Sequence, residues 1–103
     1  MASKESLRED IRKYEALKRQ MNTLADRLYT ANNDAVQISK TLDRNYTLNN
    51  NSVAAVGSIS RLSDDILEER DIILDEVIPA IDDAIEDCED EIRRIEEEEE
   101  EDD

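Results

Sequence analysis

The feature that most constrains this chain is an unbroken seven-residue repeat: Leu7, Tyr14, Met21, Leu28, Ala35 and Leu42 follow one another at that step. A period of seven is two slightly tightened helical turns, so these side chains line one stripe facing a partner helix. Ile11, Leu17, Leu24, Ala31 and Ile38 fall between them, so apolar residues recur at steps of three and four. Tyr46 extends the stripe by one turn. The spacing predicts a first helix over about 4–47, with Ser3 and Ser6 as candidate N-caps. Glu9/Lys13 and Glu15/Arg19 are supporting i,i+4 pairs. Such a rod is on the order of 60 Å long at about 1.5 Å per residue.

The repeat stops at Asn49-Asn50-Asn51-Ser52, side chains that bond their own backbone and favour turns. A turn at about 48–52, near the middle of the 103 residues, folds two arms of similar length together. Ser52 is the favoured cap of the second arm, with Gly57 a weak point in its first turns and Ser58 the other candidate start. A second helix is expected over about 53–95. Leu67, Leu74, Ile81, Cys88 and Ile95 keep the seven-residue step, interleaved with Ile78, Ile85 and Ile92, and read as the inner seam. Ile59, Ile66, Ile73, Val77 and Ala84 form a second row beside it, a wider apolar arc than one facing helix covers. Pro79 lacks an amide proton, so a kink near Val77 to Pro79 is expected, with the helix continuing beyond.

These readings give an all-α fold: a long antiparallel two-helix hairpin over 1–95 that completes a four-helix bundle by self-association or with a partner. With one Gly, one Pro and 41% charged residues, little remains to build strands or tight turns. The regular apolar spacing argues against disorder, except over 96–103. There eight consecutive carboxylates repel one another and sit unfavourably at a helix C-terminus, and an acidic disordered tail is expected.

Composition also restricts function. There is no histidine, no Trp or Phe, and a single cysteine. No nucleophile has a histidine base, no glycine-rich loop can cradle phosphate, and Asp64/Asp65, Asp82/Asp83 and Glu86/Asp87 diverge around a helix rather than converging on a metal. No catalytic residue, cofactor or metal site is therefore expected, and the chain reads as non-enzymatic. Residues 1–48 carry nine Lys or Arg against seven Asp or Glu, whereas 49–103 carry four against twenty-two, so the second arm holds the whole acidic excess behind the net charge of −16. That balance disfavours nucleic-acid binding and leaves acidic mimicry or contact with a basic protein surface as alternatives. Cys88, on the seam, acts as a small hydrophobe. No secretory leader or membrane span is evident, so the expected location is the cytoplasm, or export with a partner by a non-Sec route.

Two long helices joined near mid-chain, with an acidic, Ile-rich second helix running through VIPAIDDAIEDCEDEIRRIEEE, resemble the small WxG-related hairpins of bacterial type VII secretion. They are similar in particular to the helical partners encoded beside LXG toxins. Ala55-Val56-Gly57 stands where that family often carries Trp-x-Gly. Lys18, Asn33 and Asn50 follow Tyr14, Tyr29 and Tyr46 in place of the acidic residue of the export signal Tyr-x-x-x-Asp/Glu, so the resemblance bears on partner binding more than on independent secretion. It implies an adaptor or targeting chaperone packed against the helical domain of a larger effector. The expected contact residues are Tyr29, Val36, Ile59, Ile66, Ile73 and Val77. The other reading is a self-associating homodimeric coiled-coil or four-helix-bundle scaffold.

Overall fold

The computed structural model describes residues 3–45 and 50–101. Its elements are α1 (Lys4–Asn45), α2 (Asn50–Ile72), a single π-helical stretch (Ile73–Val77) and α3 (Ile78–Glu101). The first arm, α1, lies antiparallel to a second arm made of the other three, in a rod 81 × 15 × 15 Å. The fold is the all-α hairpin expected from the repeat. Tyr46 and residues 48–49 of the predicted turn lie outside the described residues, whereas 50–52, expected in the turn, are helical, so α2 begins before Ser52 and that residue is not its cap.

Ser3 begins α1: its Oγ accepts the Ser6 amide at 3.1 Å and its carbonyl accepts the Leu7 amide at 3.0 Å, satisfying donors that a helix start otherwise leaves open. Thr23, Thr30 and Thr41 donate their hydroxyls to the carbonyls of Arg19, Asp26 and Gln37, four residues back on the exposed face.

The α1 seam consists of Leu7, Tyr14, Met21, Leu28, Ala35 and Leu42, as the repeat predicts, but its intervening row is Ile11, Lys18, Ala25, Asn32 and Ser39. Leu17, Leu24, Ala31 and Ile38, each one residue earlier, are exposed. Polar residues can occupy the seam because each has a partner or little bulk. The Lys18 ammonium meets Asp82 at 2.7 Å, Asn32 Oδ1 accepts the Ser63 hydroxyl, and Ala25, only 2% exposed, lets the arms approach closely. Such a polar layer fixes register at some expense in stability. The described core is thin. Leu7, Ile73 and Ile81 are its only buried side chains larger than alanine, each stabilising by about 1.5–3 kcal/mol.

The second arm changes phase halfway along. In α2 and at the start of the π turn the more protected residues are Val56, Ile59, Ser63, Ile66, Arg70 and Ile73; in α3 they are Ile78, Ile81, Ile85, Cys88, Ile92 and Ile95. The step from Ile73 to Ile81 is eight residues where the heptad requires seven, and the π turn between them absorbs the extra one. The Ile78 amide accordingly bonds the Ile73 carbonyl, five residues back. An uninterrupted α-helix in the α3 phase would bring Gly57, Asp64 and Asp71 to the seam, burying two carboxylates. Pro79 favours the same solution, because the wider turn eases the clash of its ring with the carbonyl four residues back.

Three further expectations are corrected by this geometry. Ile59, Ile66 and Ile73 are not an outer row: the phase change turns them inward, and Ile73 is 7% exposed. Leu67, expected in the inner seam, is exposed, and Leu74 is half-buried beside it. The helix does not end at 95. It continues to Glu101, with Lys4 meeting Glu99 at 2.7 Å and Arg8 meeting Glu96 at 3.5 Å, so cations of the first arm offset repulsion within the acidic run.

Candidate partner-binding surface

Two helices packed along one seam leave two long flanks, and here the flanks differ chemically. On α1, Tyr29 and Val36 follow seam residues Leu28 and Ala35 by one position. Leu17, Leu24, Ala31 and Ile38 precede seam residues Lys18, Ala25, Asn32 and Ser39 by one. At about 100° per residue these sets project on opposite sides of the seam. On α2, Ser60 and Leu67 follow seam residues, whereas Ala55 and Leu62 precede them. Ile59 and Ser60 share a groove of about 250 Å³ with Val36, Ser39 and Lys40, so the following sides of both arms form one flank. Ala55 and Leu62 therefore share the other flank with Leu17, Leu24, Ala31 and Ile38.

The first flank is crossed by polar contacts between the arms, although Tyr29, Val53 and Leu67 stand exposed along it. Arg8–Glu96 and Lys18–Asp82 bridge the arms at its open end. Farther along, the Arg70 guanidinium carbon sits 5.3 Å from the centroid of the Tyr29 ring, a cation–π contact, while the Arg70 Nε is buried without an acceptor among the described residues. Of the six expected contact residues, Tyr29, Val36 and Ile59 are brought together here, with Tyr29 exposed under Arg70 and the other two half-buried. Ile66 and Ile73 belong to the seam. Val77, one residue before Ile78, borders the second flank, as does Ala84 before Ile85.

The second flank is apolar and open. Leu24 is 40% exposed, Ile38 54% and Leu62 54%, and Leu17, Ala31 and Ala55 are also exposed. Ile72, 42% exposed, lies farther round on the same side, in a shallow hollow of about 180 Å³ edged by Glu68, Asp71, Asp75 and Glu76. Sequence reasoning placed Leu17, Leu24, Ala31 and Ile38 inside because they are apolar, and did not single out Leu62 or Ile72. The eight-residue step between Ile73 and Ile81 was the available signal.

Titration is perturbed at the far end of α3. Hydrogen bonding to Arg94 holds the Glu91 carboxyl below its ordinary value and the Arg94 guanidinium above its own. Desolvation, followed by the carboxylates of Asp10, Asp87 and Glu89, pushes the Cys88 thiol up. Among the described residues no His, Cys, Asp and Glu side chains group to hold a metal ion, and no helix is long and apolar enough to cross a membrane.

Comparison with protein-family models, curated proteins and solved structures found no match.

Proposed function

We propose that this chain is a non-enzymatic helical adaptor or targeting chaperone that binds the helical domain of a larger protein. A type VII secretion effector of the LXG kind is the partner implied by the sequence resemblance, with export, where it occurs, as a complex. The observation that supports the adaptor reading is the apolar row Leu17, Leu24, Ala31, Ile38 and Leu62, exposed along a flank that no cross-arm ion pair bridges among the described residues, whereas two such pairs cross the other flank. A contiguous apolar strip on a thin-cored hairpin is a surface for another helix.

Co-expression with the helical domain of a cognate effector tests the reading. A co-purifying heteromeric complex is expected, and Leu24→Asp with Ile38→Asp should abolish it while helicity, read by circular dichroism, stays unchanged. Ile66→Asp with Ile73→Asp should instead unfold the hairpin, since both side chains belong to the seam. A complex that survives the Leu24/Ile38 pair would remove the open flank from the account.

A further inference from the structure

The flank that carries the exposed leucines has an electrostatic edge as well as an apolar floor. Where its second-arm border runs along α2, the exposed charged residues are Asp65 and Glu69, and the Ile72 hollow beyond it is edged by four more carboxylates. Among the described residues none of these six takes part in an ion pair. The cross-arm cations Lys4, Arg8 and Lys18 are engaged with Glu99, Glu96 and Asp82. The first-arm border of the same flank is mixed, with Gln20, Arg27 and Asp34. A helix lying on Leu24, Ala31, Ile38 and Leu62 would thus meet, along the first arm, a groove that Leu24 shares with Arg19, Gln20 and Arg27 and, along the second, carboxylates that form no ion pair among the described residues. A second copy fits poorly, because it brings a further net charge of −16 to an already acidic rod.

We infer that the occupant of this flank is an amphipathic helix with Lys or Arg along the edge facing α2, one of whose side chains lays its aliphatic stem on Ile72 and its charge among Glu68, Asp71, Asp75 and Glu76. Such a residue suits the hollow because its stem is apolar and its head is cationic. Hydrophobic contact supplies the area, and the basic edge supplies orientation and selection against acidic helices. The inference rests on the adaptor reading and adds the partner's charge pattern to it.

The test uses the full chain and two synthetic helices of about 28 residues, long enough to span Leu17 to Ile38 at about 1.5 Å per residue. Both carry the same leucine stripe; one has Lys along its edges and the other Glu. Binding is followed by fluorescence anisotropy at about 0.15 M salt, where longer-range attraction is largely screened. The Lys-edged helix should bind saturably at one per chain, about tenfold or more tighter than the Glu-edged one. Leu24→Asp with Ile38→Asp should weaken it by about tenfold. Val53→Asp with Leu67→Asp, which adds the same charge on the opposite flank, should change it less than about twofold. Unchanged or tighter binding in both double variants would show nonspecific charge attraction, and equal loss in both would show no preference for this flank; either result would overturn the proposal. Preference for the Glu-edged helix would overturn the basic-edge inference and leave the adaptor reading standing. Sedimentation showing a dimer that only the Leu24/Ile38 pair dissociates would make a second copy the occupant and overturn the proposal. Binding of neither helix by a monomeric chain would overturn the proposal and count against the adaptor reading itself.

Discussion

Removing one residue from this protein should have unequal consequences at two chemically matched places, because only one lies where the second arm holds a residue to spare. Asp75 and Asp87 are both exposed aspartates, the first inside the π turn and the second in α3. Deleting Asp75 converts the eight-residue step from Ile73 to Ile81 into seven, so a plain α-helix then carries Ile59, Ile66 and Ile73 into register with Ile81, Cys88 and Ile95. The comparison is made in a Pro79→Ala background, which removes the ring that favours the wider turn. No seam side chain is lost, one backbone bond returns to α geometry, and stability should change by about 1 kcal/mol or less. Deleting Asp87 rotates everything after it by about 100° and takes Cys88, Ile92 and Ile95 off the seam. These three are half-buried, so the loss is about 2–4 kcal/mol, half of what full burial would contribute. For a chain of this size that lowers Tm by roughly 10–30 °C. Undoing the π turn would rescue the register beyond position 87 only by exchanging Ile78, Ile81 and Ile85 for Val77, Ala80 and Ala84, which also forfeits three large side chains. Thermal unfolding followed by circular dichroism reads the difference. Equal destabilisation by the two deletions would refute a change of seam phase at the π turn.

Gly57→Ala should raise stability by about 0.5–1 kcal/mol, because Gly57 is exposed within α2 and an added Cβ meets nothing within 4 Å; chemical denaturation measures it. Raising salt from about 0.02 to 0.5 M should raise Tm, since screening relieves repulsion among the carboxylates of the second arm. The three cross-arm ion pairs that salt also weakens each have an exposed carboxylate and are worth about 0.2–1 kcal/mol each, so a fall in Tm would show that attraction outweighs repulsion. Cys88 in the folded chain should react with iodoacetamide at pH 8 more slowly than in urea, because the raised thiol pKa leaves less thiolate. The native thiol keeps its proton to higher pH than the unfolded one, so this group's contribution to stability falls as pH rises through the ordinary thiol range; a Cys88→Ala variant should lack that part of the slope.

The hairpin was legible because the seven-residue row from Leu7 to Leu42 admits one helix and a second row at the same step follows it, although Asn50 and Asn51, expected in the turn, are helical. The rotation of that helix was not legible from hydropathy alone. Lys18 and Asn32 occupy the seam because Asp82 and Ser63 lie opposite, facts of pairing that a scan of one helix does not contain. Ile59, Ile66 and Ile73 look like a row parallel to Leu67, Leu74 and Ile81 until one extra residue is assigned to a π turn. The two rows then change roles, and the surface expected at Ile66 and Ile73 moves to Leu24, Ile38, Leu62 and Ile72. The end of the helix was misjudged for a similar reason. Eight like charges predict fraying in isolation, but Lys4 and Arg8 stand beside two of them.

The exchange of rows in α2 determines which surface is free, and single-cysteine labelling tests it most directly. In a Cys88→Ala background, cysteines placed singly at positions 62, 66, 67, 72 and 73 are alkylated in the folded protein and their rates compared. Leu62→Cys, Leu67→Cys and Ile72→Cys should react quickly, while Ile66→Cys and Ile73→Cys should react slower by about tenfold or more, the mark of side chains held in the seam. Fast reaction at 66 and 73 with protection at 67 would mean that α2 continues the phase of α3, and the assignment of the open flank would be wrong.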